Sequence, residues 1–293
     1  MTEDQMSSSN AAAGPLPVYM VEFLYKDKPD FSKELFYAAL QKRTGTLKIS
    51  EPGSNTPSPF QMSQEDGVKP PSVIYHVDHT VNYEDAEIPA QTCLYDAHLI
   101  SDKERFEHAL QQSWHWDDAR EAVGKCTYSI RLHDLFTVKL PHQQRLALIS
   151  AAIQALQEVA PCEAIYWQAS DTLVHPEAYL EALRLGQVCY GAVNVRLYYT
   201  GAEREGRREI VLDTLGLYAF GLPDLQSISY EEDPAETARH LLVLAGYLFK
   251  EGPVFKEGQW IGVTKVRKYR CAYKSAIAAP ARPVIDLEAA KVE

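Results

Sequence analysis

The sequence predicts an α+β protein of two lobes, each a mixed, mainly antiparallel sheet with packed helices, and a split β-α-β (ferredoxin-like) plan is open to both. Short runs rich in β-branched and aromatic residues alternate with stretches whose apolar residues recur at helical spacing. Of the 293 residues, 46% are hydrophobic, enough for real cores, while 24% are charged and can solvate the outside. No short repeat of the solenoid kind recurs.

The opening MTEDQMSSSNAAAGPLP lacks the basic and apolar regions of a secretory signal, so residues 1–16 are expected to be a disordered lead-in. VYMVEFLY then reads as a strand. Asp30 is expected to cap a helix running to about Arg43, with Leu35, Ala38 and Ala39 inward and Gly45 as its stop. TLKIS follows as a strand, and the proline- and serine-rich residues 51–72 read as a mobile loop. Strands resume at SVIYHVDHTVNY and QTCLYDAHLI. Ser101 and Glu104 form a capping box before Phe106, Ala109 and Leu110. WHWDDAREAVGKC continues helically, and CTYSIRLHDLF returns as a strand.

A lobe boundary is expected near Leu140-Pro141, giving lobes over 17–140 and 141–279. In QQRLALISAAIQALQEVA, Leu146, Ile149, Ala152, Ile153 and Leu156 fall along one helical stripe. Strand AIYWQAS, helix PEAYLEALR, strand AVNVRLYYT and a charged hairpin tip lead to DTLGLYAFGLPDLQS. Asp233, Pro234 and Glu236 then open a helix with Ala238, Leu241, Leu242, Ala245, Leu248 and Phe249 as its expected buried stripe. Gly252-Pro253 ends it. Strands around QWIGVTKV and KYRCAYKSAIA precede an acidic tail, 280–293, expected to fray.

Chemistry is less legible. The formal charge of -11 disfavours non-specific nucleic-acid binding and suits solubility or a basic protein partner. No run approaches the roughly 20 apolar residues of a membrane helix. Cys93, Cys126, Cys162, Cys189 and Cys271 are odd in number, widely spaced and free of C-x-x-C, which predicts reduced thiols in a cytoplasmic protein. Gly216 and Gly221 have the spacing that opens a phosphate loop, but Leu222-Pro223 stands where Lys and Ser/Thr would be needed. The commoner reading is a buried strand with Gly216 at a close backbone approach and Gly221, Pro223 and Asp224 making a turn.

In HVDH, His76 and Asp78 share one strand face and could begin a metal site with His98 or His115, although polar residues on a half-solvated strand are commoner. Trp114 to Trp116 read as a packing plug more readily than a ligand platform. With no G-x-S-x-G and no activated cysteine, neither a catalytic residue, a metal nor a cofactor is expected. One basic stretch survives as a site candidate: Lys265, Arg267, Tyr269, Arg270 and Tyr273 could form a docking face for an acidic partner or small anion. The alternative is a charged strand guarded against edge aggregation.

CEAIYWQASDTLVHPEAYL, DTLGLYAFGLPDLQS and LAGYLFKEGPVFKEGQWIG, in this order, resemble the bacterial domain-of-unknown-function 4261 family over roughly Cys162 to Gly262. Gln226 stands where an acidic residue is expected, and Glu257-Gly258 replaces Asp-Gly. The resemblance implies no catalytic residue. It is compatible with a non-enzymatic, cytoplasmic protein-binding factor, such as a toxin-neutralising immunity or secretion-system accessory protein. The alternative is an enzyme or small-ligand binder with a pocket between the lobes, where Asp213, Asp224, His175 and Tyr166 are the first polar groups to inspect. A homo-oligomer is a third, plainer reading.

Overall fold

The hub of the first sheet is β1 (Met20–Tyr25), buried along almost its whole length and apolar except for Glu22, which pairs with Arg105 and Arg131. The computed structural model describes residues 15, 17–52, 70–83, 86–204, 206–230, 233–264 and 267–289. Helix α1 (Lys33–Thr44) follows, then β2 (Leu47–Ser50), β3 (Ser72–Tyr83), β4 (Ala86–Leu94) and β5 (His98–Leu99). A 3-10 turn leads into α2 (Glu107–Gln111); α3 (Ala119–Lys125), β6 (Tyr128–Leu135), α4 (His142–Val159), β7 (Ala164–Trp167), β8 (Thr172–Val174) and α5 (Pro176–Arg184) complete this half. The sheet order is β2-β3-β4-β6-β1-β7-β8, with β5 also on β6.

This sheet follows the split β-α-β plan twice. β4 and β1 both run antiparallel to β6 between them, and β6 and β7 both run antiparallel to β1 between them. The second crossover is α4, which packs against α1. The chain therefore does not change lobes at Leu140-Pro141: α4, β7 and β8 finish the first sheet. The expectation failed because β-α-β-β-α-β can be counted with the α2–α3 segment as its second helix, although that segment is an insertion before β6.

The second sheet contains β9 (Asn194–Arg204), β10 (Arg207–Leu215), β11 (Asp224–Ser229), β12 (Trp260–Gly262), β13 (Lys268–Ser275) and β14 (Pro283–Ala289), in the order β12-β13-β14-β11-β10-β9. Helix α6 (Pro234–Glu251) crosses between β11 and β14, which pair in parallel; the other described pairs are antiparallel. The expected fraying tail is thus corrected. Residues 283–289 form an interior strand in which Val284, Ile285 and Leu287 are buried, and Asp286 bonds Lys274 (2.5 Å). Its two acids obscured a short buried run. Residues 290–293 lie outside the described residues, as do the predicted lead-in except Pro15 and 53–69 of the predicted loop.

Local phases also shift. Ser32, not Asp30, caps α1, its Oγ accepting from Leu35 N–H (3.2 Å). The cap lies two residues later, so Phe36, Ala39 and Leu40 face inward while Leu35 and Ala38 are exposed. Asp102, rather than the Ser101–Glu104 box, accepts the Glu104 N–H (2.8 Å). On α6, Asp233 caps and Gly252 ends the helix as read, but Leu242 is exposed and Leu244 buried. All five stripe residues of α4 are buried. One core cluster joins both sheets, from Phe23 through Ile153 to Leu212 and Ile285. Among the described residues no helix is long and apolar enough to cross a membrane.

Candidate functional site

DTLGLYAFGLPDLQS forms the corner on which the two sheets meet. β10 carries Asp213 and Thr214 fully inside. The chain then turns at Gly216, where φ is 125° and an added Cβ would lie 2.1 Å from the Ala192 carbonyl oxygen. Leu217–Phe220 is a 3-10 turn rather than the expected strand, closed by Gly221 in the left-handed region. Two glycines at positive φ cannot belong to an extended run.

Three buried arginines hold this corner. Arg196 donates from Nε to Asp213 Oδ1 (2.9 Å) and from Nη2 to Oδ2 (2.6 Å). Arg282 reaches Asp213 Oδ2 through Nη2 (2.6 Å) and Asp224 Oδ2 through Nε (2.9 Å). Asp224 Oδ1 also accepts from Thr214 Oγ1 (2.9 Å) and Leu217 N–H (3.0 Å). Burial raises the Asp224 carboxyl to about 6, with Arg282 and these donors pulling the other way. From the first sheet, Arg145 on α4 pairs with Asp134 and donates from Nη1 to the Ala219 carbonyl (2.6 Å). Two acids and two arginines balance in charge, and their bidentate geometry fixes orientation.

Beside this network a cavity of about 710 Å³ opens between the sheets. That lies in the range of small-molecule sites. Val18, Met20, Ala169, Leu215 and Pro280 give it apolar walls, and Arg196, Asp171 and His108 also line it. Asp171 sits in the β7–β8 turn with φ 47°, a left-handed conformation uncommon for a side-chain-bearing residue. Its Oδ1 accepts from Tyr166 Oη (2.9 Å) and its Oδ2 pairs with His108 Nδ1. His108 comes from α2, and its Nε2 lies 3.0 Å from the hydroxyl of Tyr198 on β9. Since the carboxylate only accepts, the neutral imidazole of His108 carries its proton on Nδ1 and accepts from Tyr198 at Nε2. The two rings stack at 6.0 Å. Burial raises the Tyr198 hydroxyl to about 12, with Arg196 opposing it.

Residues 213–288 match the family model Domain of unknown function (DUF4261). No curated protein and no solved structure matched the chain. The DUF4261 segment shares 213–262 with the resemblance, omits the β7–α5 stretch and runs on into β14, ending at Glu288. It begins at the arginine-bound Asp213 and includes Asp224 and Arg282. Gln226, departing from the expected acid, accepts the Ile277 N–H (2.9 Å) and braces the loop that carries Arg282. Glu257 Oε2 accepts the Tyr273 N–H (2.7 Å) beside Gly258.

Of the polar groups expected between the lobes, Asp213 and Asp224 converge in the network behind Arg196, and Tyr166 reaches the cavity through Asp171. His175 instead packs edge-on against Trp116, 5.3 Å away. The basic docking candidates do not form one free face. Tyr269 is buried and bonds His240 (2.9 Å). Arg270 lies 3.8 Å from Glu288, and Tyr273 donates its hydroxyl to the Phe255 carbonyl (3.0 Å). Arg267 is at the start of the β13 hairpin, its N–H bonded to Thr264 (3.0 Å), and Lys265 lies outside the described residues. β13 is not an edge strand: β12 and β14 flank it.

His76 bonds Thr92 (2.8 Å), and burial lowers its imidazole to about 4. Among the described residues no group of three His, Cys, Asp or Glu side chains is arranged to hold a metal. Trp114 donates to the Val195 carbonyl (3.3 Å), while Gln112 exchanges two hydrogen bonds with Leu197 and so covers the edge of β9. Burial raises Cys93 to about 12 and Cys126 to about 11, which keeps both as thiols. Sequence reasoning missed His108, Asp171 and Tyr198. No motif joins a short-helix histidine, a turn aspartate and a strand tyrosine far apart in the chain.

Proposed function

We propose that this protein binds a small, mainly apolar molecule in the cavity between its two sheets. The observation that carries the reading is the cavity itself, apolar along most of its wall and polar at the His108–Asp171 end. Its charged groups narrow the choice. Arg196 is committed to Asp213 on two atoms, so a multiply charged anion finds no uncommitted cation there. A neutral ligand with one hydrogen-bonding group suits these walls best. Titration with the neutral fluorescent probe N-phenyl-1-naphthylamine tests this. Enhanced fluorescence that saturates, and is lost when the half-buried Val18 is replaced in Val18→Trp, is expected. An enhancement that Val18→Trp leaves intact would place the probe elsewhere and remove the reading's support.

A second reading, that of a cytoplasmic protein-binding factor of the immunity or accessory kind, is favoured by α6. Leu242 and Val243 stand exposed on that helix beside Tyr247, whose half-exposed ring stacks on Phe255, and an exposed apolar group of this kind supports an interaction surface. The acidic charge of -11 suits a basic partner. A partner that copurifies with the native chain and is lost in Val243→Asp would support it; equal recovery with that variant would count against it.

A further inference from the structure

We propose that the cavity is an active site for hydrolysis of short-chain carboxylic esters, with His108 as the general base. The proposal rests on small-molecule binding in the same cavity. Its geometric ground is the chain Asp171–His108–Tyr198, assembled from the β7–β8 turn, α2 and β9: Asp171 and His108 line the cavity's polar end, and the Tyr198 hydroxyl reaches it through His108 Nε2. Each member meets a requirement of acid-base catalysis. The base needs one nitrogen fixed and the other free to exchange a proton. Asp171 accepts the Nδ1–H hydrogen bond of His108, which keeps the proton on that nitrogen, and is itself oriented by the Tyr166 hydroxyl (2.9 Å) and by Asn194, which donates to its carbonyl (3.4 Å). Asp171 also holds a left-handed backbone conformation, φ 47°, the kind of local strain that concentrates at functional sites.

Tyr198 supplies the remaining part. With the cavity empty of substrate its hydroxyl donates to His108 Nε2 (3.0 Å). When water takes that place, the hydroxyl is released to donate to the ester carbonyl oxygen. His108 Nε2 accepts a proton from the water as the water oxygen bonds to the carbonyl carbon. The carbonyl electron pair moves onto its oxygen, which Tyr198 stabilises. Collapse re-forms the carbonyl and breaks the bond to the alcohol oxygen, which takes the proton back from His108. Ester and water give acid and alcohol, and the imidazole is restored. An ester fits better than a phosphate because the arginines are committed to Asp213 and Asp224.

The full chain is assayed with 4-nitrophenyl butyrate. Saturable release of 4-nitrophenol is expected, with kcat falling by about 100-fold or more in His108→Gln while KM stays within about threefold. Asp171, a positioning residue, should lower kcat without raising KM in Asp171→Asn, a side chain that tolerates the left-handed turn. Tyr198→Phe should lower kcat by roughly 10- to 100-fold. All three variants are checked by circular dichroism and melting, and by displacement of N-phenyl-1-naphthylamine with the amide 4-nitrobutyranilide. No turnover by the wild-type chain, or full turnover in His108→Gln, overturns the proposal. If the amide still displaces the probe in either case, ester hydrolysis alone falls and ligand binding stands. If the probe itself does not bind, both fall.

Discussion

At the scale of single residues, the informative groups are buried charges. Asp224 is fully buried, and its carboxyl is raised from 3.8 to about 6, burial being the largest cause. A carboxyl raised on folding contributes stability below its unfolded pKa and loses that contribution as pH climbs through the folded value. The window is therefore about pH 4 to 6. In urea unfolding, the stability of wild type relative to Asp224→Asn should be greater at pH 4 than at pH 7. A margin that widened with pH would mean Arg282 favours the carboxylate more than burial opposes it. Arg145 makes a different case, since its loss leaves Asp134 buried at 4% exposure without its partner. Arg145→Met should cost about 3–5 kcal/mol, the usual consequence of breaking a buried pair on one side. None of these partnerships was legible in sequence. Asp213 and Asp224 were noticed as polar groups, but nothing in local spacing points from Asp213 to Arg282, because pairing across a sheet leaves no periodic trace.

Whole elements were read more faithfully than their pairings. The stripe Leu146, Ile149, Ala152, Ile153 and Leu156 named the buried face of α4, and Asp233-Pro234 with Gly252 marked both ends of α6. Helical signals of this sort are local, so one sequence suffices for them. Strand signals failed where charge interrupted a short buried run, as in β14, or where glycines broke an apparent strand, as at Gly216 and Gly221. The corner makes a sharp comparison between those two glycines. Gly216→Ala would drive a Cβ to 2.1 Å from the Ala192 carbonyl, whereas at Gly221, φ 73°, no atom lies within 4 Å of the added carbon. Gly221→Ala should cost only the left-handed penalty, about 1–2 kcal/mol. Gly216→Ala should cost clearly more, and chemical denaturation of the pair measures the difference. Removing β14 by a stop codon after Arg282 should abolish the cooperative unfolding transition, because both β11 and β13 would lose a neighbour.

For the molecule as a whole, a single core cluster spans both sheets, and Arg145 ties the first to the corner of the second. Tryptophan fluorescence and far-ultraviolet circular dichroism should therefore report coincident unfolding, as one cooperative unit requires. Two separated transitions would show that the shared core does not couple the halves. The α+β class was legible; the split β-α-β plan holds in the first sheet alone, with α4 rather than the α2–α3 segment as its second helix, and the lobe boundary was not legible. That boundary depends on whether α4 returns the chain beside β1, a long-range fact that no stretch of sequence carries alone. The placement of β14 bears on synthesis as well as stability. The first sheet has all its strands once Val174 has emerged from the ribosome, so it can begin to fold while later residues are still being added. The second sheet must wait for residues 283–289, since β11, whose Asp224 faces Val284, has no parallel neighbour until then. Until that strand arrives, one side of β11 offers open hydrogen-bonding groups to other chains. The interval between translating Ser229 and Ala289 is thus one in which that side of β11 stands open.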